Sequence, residues 1–164
     1  MWGVNVSEAY DRNGSANAPY DSDRDAKSNL SNAHYHCIME EWGFNNPVEH
    51  DESIVLNRYK HTDYYYDNVG VQKKAIKCCN FHTVTIPAHL WNKETPFAPI
   101  LFHGYYDKSD PTRFVRAFLV DVNILRTIKP CGTRTNWTTG TEFHYWNYSV
   151  IQSAILNKQL IGGQ

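Results

Sequence analysis

The chain has 164 residues, enough for one domain with a sizeable core. Hydrophobic residues make up 41 % and aromatics 14 %, a globular composition, and no apolar run approaches the length of a membrane span. The net charge of −1 argues against a generically basic nucleic-acid binder, so a nucleic-acid role needs locally segregated charge. The start, Met1-Trp2-Gly3-Val4, has no charged-then-apolar leader. Four cysteines, two of them adjacent as Cys78-Cys79, make no secreted disulfide framework, so an intracellular, reducing compartment is expected.

In chain order, residues 1–27 are polar and without periodicity, an N-terminal arm ahead of a single domain over 28–164. Residues 28–42 read as a helix capped by Ser28 or Asn29 and stopped by Gly43, with Leu30, Ala33 and Cys37 as its apolar stripe. Residues 53–60 suit a strand or connector. Phe81 to Ile86 alternates as a strand ending at Pro87, and 88–91 suits a turn of helix. Strands follow at 100–106 and 114–120, separated by a turn around Asp110-Pro111. A brief helix over 121–126 precedes a loop and short hairpin in 133–148, and Ser149 is expected to cap a closing helix from Val150 to Leu160. The order predicts an α/β domain with a mixed central β-sheet flanked by helices.

The most informative stretch is 62–77. Tyr64 to Tyr66 suit a strand, Asp67-Asn68 a two-residue turn, and Val69 to Ile76 the return strand. That register sets Tyr66 against Val69 and Asp63 against Gln72. Opposed residues share a face, as do residues two apart, so Asp63, Gln72 and Lys74 gather on one patch, with His61 beside Lys74. A carboxylate, an amide oxygen and an ammonium together are costly in a core. They suit holding a divalent metal and polarising a water beside a phosphate.

Asp63, followed nine positions later by Gln72-Lys73-Lys74, resembles the metal-binding core of PD-(D/E)XK nucleases, in the variant with Gln for the first acid of the second half-motif, seen in some homing endonucleases and phage enzymes. The resemblance implies a restriction-endonuclease-like core and a Mg²⁺-dependent endonuclease that hydrolyses DNA. In it Asp63 and Gln72 would bind metal and Lys74 would be the catalytic lysine. Glu40 and Glu41 are the candidates for the acid that a preceding helix often donates in this family. Thr62 stands where the family name has Pro, and the neutral Gln72 implies weaker metal affinity. Cutting both strands of DNA implies a homo-oligomer, and Lys73, Lys77, Arg113 and Arg116 are the candidate phosphate contacts.

Other readings compete. Asp63, Gln72 and Lys74 also fit a plain cross-strand polar patch, on a non-enzymatic phage-type binding or inhibitor protein. His34-Tyr35-His36-Cys37 and Cys79 to His82 hold zinc-ligand residue types, but only the latter approaches zinc spacing. Trp137, Trp146 and Tyr148 suit either base stacking or packing.

Overall fold

The computed structural model of the protein describes residues 29–49, 62–77, 83–88, 91, 97–137 and 140–161. The expected arm over 1–27, the strand over 53–60, His61, the Cys78-Cys79 pair and His82 lie outside these residues.

The first helix, α1 (Asn32–Glu41), is followed by β1 (Pro47–Glu49). The hairpin strands are β2 (Tyr64–Tyr66) and β3 (Val69–Lys77). Then come β4 (Thr83–Pro87), β5 (Ile100–Tyr106), β6 (Phe114–Asp121) and the short α2 (Val122–Leu125). The chain continues with β7 (Gly132–Thr135), β8 (Glu142–Asn147) and β9 (Ile155–Ile161). Six strands form a mixed sheet in the order β1-β2-β3-β5-β6-β9, in which β3 and β5 are parallel and the other pairs antiparallel. The remaining strands form a second, antiparallel sheet, β4-β8-β7. Parallel neighbours need a crossover, and the one from β3 to β5 carries β4 into the second sheet.

The molecule is therefore of mixed α/β class, with α1 on one face of the large sheet. The expected mixed sheet is present, with fewer flanking helices among the described residues than that expectation implies. Among the described residues, the other face is covered by the three-stranded sheet, with Val122 and Leu125 of α2 in the same core cluster. Val84 and Ile86 of β4 and Trp146 of β8 pack there on Leu101, Tyr105, Phe118 and Val120. On the opposite face Tyr35, Ile38 and Met39 of α1 pack on Tyr66, Val71, Phe102, Ala117 and Leu119. Central strands are thus buried on both faces, which explains the nearly continuous apolar run of β6. Gly104 is dictated by this packing, because a Cβ there would stand 2.5 Å from the Phe114 ring and 2.8 Å from that of Phe102.

Two sequence expectations fail for identifiable reasons. On α1 the predicted stripe is on the wrong side: Leu30, Ala33 and Cys37 are exposed, while Tyr35, Ile38 and Met39 are buried. Tyr35 is the centre of an aromatic cluster, 4.7 Å from Phe102 and 5.6 Å from Tyr64 between ring centroids, and burying that ring outweighs burying an Ala and a Cys. Gly43, with φ +89°, ends the helix as expected. The second failure is the closing helix. Residues 148–150 and 152–154 form single 3₁₀ turns, and 155–161 become β9 against β6. A short isolated helix is marginal in water, and pairing with β6 satisfies an edge of the sheet that would otherwise be open.

The β2–β3 turn requires positive φ at both loop residues, Asp67 (48°) and Asn68 (70°). Asn68→Gly should hold or raise stability in urea unfolding, whereas Asn68→Ile should lower it by about 1–2 kcal/mol.

Candidate active site

The hairpin has the register expected from its turn, with Tyr66 opposite Val69, Tyr65 opposite Gly70 and Tyr64 opposite Val71. One step further, the Asp63 N–H donates to the Val71 carbonyl at 3.0 Å, which keeps Asp63 in line with the return strand. Asn46 secures the turn by donating from Nδ2 to Asp67 Oδ1 at 2.9 Å.

Alternation along β3 then divides its polar residues. Val71 and Lys73 face α1, while Gln72, Lys74 and Ile76 face the second sheet. Asp63 stands at the end of β2, where its Oδ2 accepts the backbone N–H of Lys73 at 2.8 Å. Its charge partly opposes the effect of burial on Lys73, and it adds to burial and Tyr66 in raising the Tyr35 hydroxyl. Asp63 is thus fixed to the backbone of the Gln72-Lys73-Lys74 segment.

On the second-sheet side, Gln72 Oε1 is buried and has no hydrogen-bond partner. The Lys74 ammonium donates to both the carbonyl oxygen and the Oγ1 of Thr85 on β4, and lies 5.3 Å from the centre of the Phe143 ring. Across the parallel ladder Lys74 is in register with His103, which is wholly enclosed. Burial, with Lys74 and Arg116 near it, holds His103 well below the usual imidazole range, so the ring is neutral.

The α1 side corrects one expected role. Lys73 is not placed to meet a phosphate backbone: it is buried, with Nζ donating to Ser31 Oγ at 3.0 Å and Asn32 Oδ1 at 2.6 Å. Its ammonium also lies 5.7 Å from the centre of the Tyr35 ring and 5.8 Å from that of Phe114. Burial lowers its pKa to about 8, partly opposed by Asp63. Beside it His36 Nδ1 and the Tyr66 hydroxyl share a hydrogen bond of 2.8 Å.

Glu40 and Glu41 are exposed near the end of α1. The helix residues that reach the hairpin's polar groups are instead Ser31 and Asn32, on Lys73, and His36, on Tyr66. Lys77 and Arg113 are exposed. Arg116 is half-buried, its guanidinium 4.3 Å from the centre of the Tyr148 ring. Trp146 is core, its indole N–H donating to the Ile128 carbonyl at 2.9 Å, whereas Trp137 is 93 % exposed. His34 Nδ1 accepts the Phe114 N–H at 2.8 Å. Among the described residues, no three His, Cys, Asp or Glu side chains gather as a metal site.

The donor chemistry near the hairpin suits a hard cation. Asp63 supplies a carboxylate and Gln72 a buried, unpartnered amide oxygen, both oxygen donors of the kind Mg²⁺ prefers. Thr85 and His103 were not legible as neighbours of Lys74, because both contacts depend on long-range placement of β4 and β5. The available signal was the polar His103 within the apolar run Ile100-Leu101-Phe102. No protein-family model matches the chain, and no curated protein sequence matches it.

The buried Lys73 leads to a pH prediction. Its folded pKa of about 8 lies below the ordinary lysine value of 10.5, so between these values the unfolded chain binds more protons. Stability should therefore gain from this residue as pH rises from about 8 toward 10.5. That increment should be missing in Lys73→Met when urea midpoints of the two proteins are compared across the window.

Proposed function

We propose that the hairpin is the active site of a metal-dependent endonuclease that hydrolyses DNA phosphodiester bonds on a restriction-endonuclease-like core. The observation that carries this reading is the buried, unpartnered Gln72 Oε1 on a strand whose backbone is held by the Asp63 carboxylate. A buried acceptor without a partner costs about 1–3 kcal/mol, a cost that a bound cation relieves.

In this reading Asp63 and Gln72 would hold Mg²⁺, which would supply Lewis-acid stabilisation of a phosphoryl oxygen. With one charged and one neutral ligand, the affinity is lower than that of a two-carboxylate site. Lys74 leaves Thr85 to orient the attacking water and to neutralise charge that develops on the phosphate. Lys77 and Arg113, both exposed, position the DNA backbone without reading sequence. Arg116 contributes only where its guanidinium extends beyond Tyr148. Glu40 and Glu41 stay outside the proposed ligand set. Cleavage of both strands calls for a homo-oligomer with two such sites.

An intracellular setting is consistent with the free, exposed Cys37 and Cys131. Among the described residues, no helix is long and apolar enough to cross a membrane. A second reading, a non-enzymatic binding or inhibitor protein, draws on the engagement of Lys74 by Thr85.

Incubation with supercoiled and linear DNA in Mg²⁺ or EDTA separates the two. A nuclease cuts only with the metal, and Asp63→Ala and Lys74→Ala each lose about a hundred-fold or more in rate while remaining folded by circular dichroism. Cutting that persists in both variants, or that needs no divalent ion, contradicts the assignment. Gln72→Glu, by adding a charge, should lower the Mg²⁺ concentration needed for half-maximal cutting.

A further inference from the structure

His103 is an expensive residue in its position. It is fully enclosed between the sheets, and neither ring nitrogen has a hydrogen-bond partner. Its ring stacks on Phe118 with centroids 5.4 Å apart and meets the Tyr105 ring edge-on at 5.1 Å. A phenylalanine would make the same aromatic contacts without leaving two polar atoms unsatisfied. A neutral imidazole always carries one N–H and one lone pair. What the histidine adds over phenylalanine is therefore a buried donor and a buried acceptor.

The register indicates what that acceptor serves. His103 is directly opposite Lys74 across the β3–β5 ladder, and the two side chains share the face turned toward the second sheet. Burial above all, with the Lys74 and Arg116 charges adding to it, disfavours the imidazolium, so the ring retains its lone pair. An ammonium has three donors in a compact head, and Thr85 engages it at the carbonyl and the hydroxyl. The Gln72 oxygen, two residues along the same strand, is the other buried acceptor without a partner on this face. Lys74 thus lies between an acceptor on β4 that it uses and an acceptor on β5 in register with it.

We propose that His103 is a positioning residue for Lys74, its buried imidazole offering the ammonium a second acceptor when Lys74 leaves Thr85. The juxtaposition of the two side chains is a property of the fold, and the hydrogen bond forms when the ammonium is released from Thr85. Its consequence for catalysis rests on the nuclease reading given above. In that reading His103 keeps the ammonium aligned along the sheet, near Gln72, instead of letting it leave toward solvent. No proton is transferred to the ring.

The test has two arms on the full chain. Imidazole ¹⁵N spectra are recorded for Thr85→Ala, which withdraws the hydroxyl that holds the ammonium, and for the same variant carrying Lys74→Met, with His103→Phe used to assign the His103 signals. If the ammonium uses the ring, the unprotonated His103 nitrogen shows the upfield shift of an acceptor, and Lys74→Met moves it to the position of a free nitrogen. Identical His103 shifts in the two proteins overturn the proposal whether or not the protein cuts DNA. In the second arm, His103→Phe and His103→Asn are assayed for Mg²⁺-dependent cleavage.

The expected result in that arm is a fall in kcat of about ten- to a hundred-fold for His103→Phe, with KM little changed and with thermal stability kept or raised. His103→Asn, which retains an acceptor, recovers part of kcat. A His103→Phe enzyme with wild-type kcat overturns the positioning role. A wild type that cuts no DNA counts against the nuclease reading instead, and the spectra then decide the hydrogen bond alone.

Discussion

The arrangement of polar groups depends on one constraint, the strict alternation of a strand covered on both faces. The two-residue turn at Asp67-Asn68 fixes the register of β3, and once that is fixed each side chain has no choice of face. Lys73 must go to the α1 layer and Gln72 and Lys74 to the second sheet. A slip of one residue would drive Val71 out of the aromatic cluster and exchange the environments of the two lysines. The bond from the Lys73 N–H to Asp63 belongs to the same register.

Adjacent lysines consequently have opposite uses. Lys73 is a buried cation whose desolvation is offset by Ser31, Asn32 and the nearby Asp63 charge. It couples the start of α1 to the hairpin. Lys74 is only partly buried, and its ammonium reaches across to the second sheet, where it donates to Thr85 and lies over the Phe143 ring. In the proposed nuclease reading that difference in burial leaves the catalytic role to Lys74 and a structural one to Lys73.

Much of the hairpin was legible because its signals are local. Turn residues that tolerate positive φ, flanked by tyrosines and an alternating run, specify both the turn and its register. Strands β5 and β6 were equally clear from their apolar runs. The buried side of α1 was not, since Tyr35 reads as amphipathic and its burial depends on Phe102, 67 positions later. The strand β9 was misread for a similar reason, because only β6 makes an extended conformation favourable there. At the site, sequence pointed to the face shared by Gln72 and Lys74. It did not identify the occupants of the opposing surface, Thr85 and His103, because these arrive through a crossover and a parallel pairing.

The central claim is that the hairpin holds a divalent cation, and paramagnetic broadening by Mn²⁺, a hard cation of similar ligand preference, tests it most directly. Mn²⁺ is added in substoichiometric amounts to ¹⁵N-labelled protein, and the amide signals are followed. The account predicts that residues 63 and 72–74 broaden first and that Asp63→Ala removes the effect. Broadening centred elsewhere, for example on the exposed turn of Asp107 and Asp110, or no selective broadening at all, would contradict it.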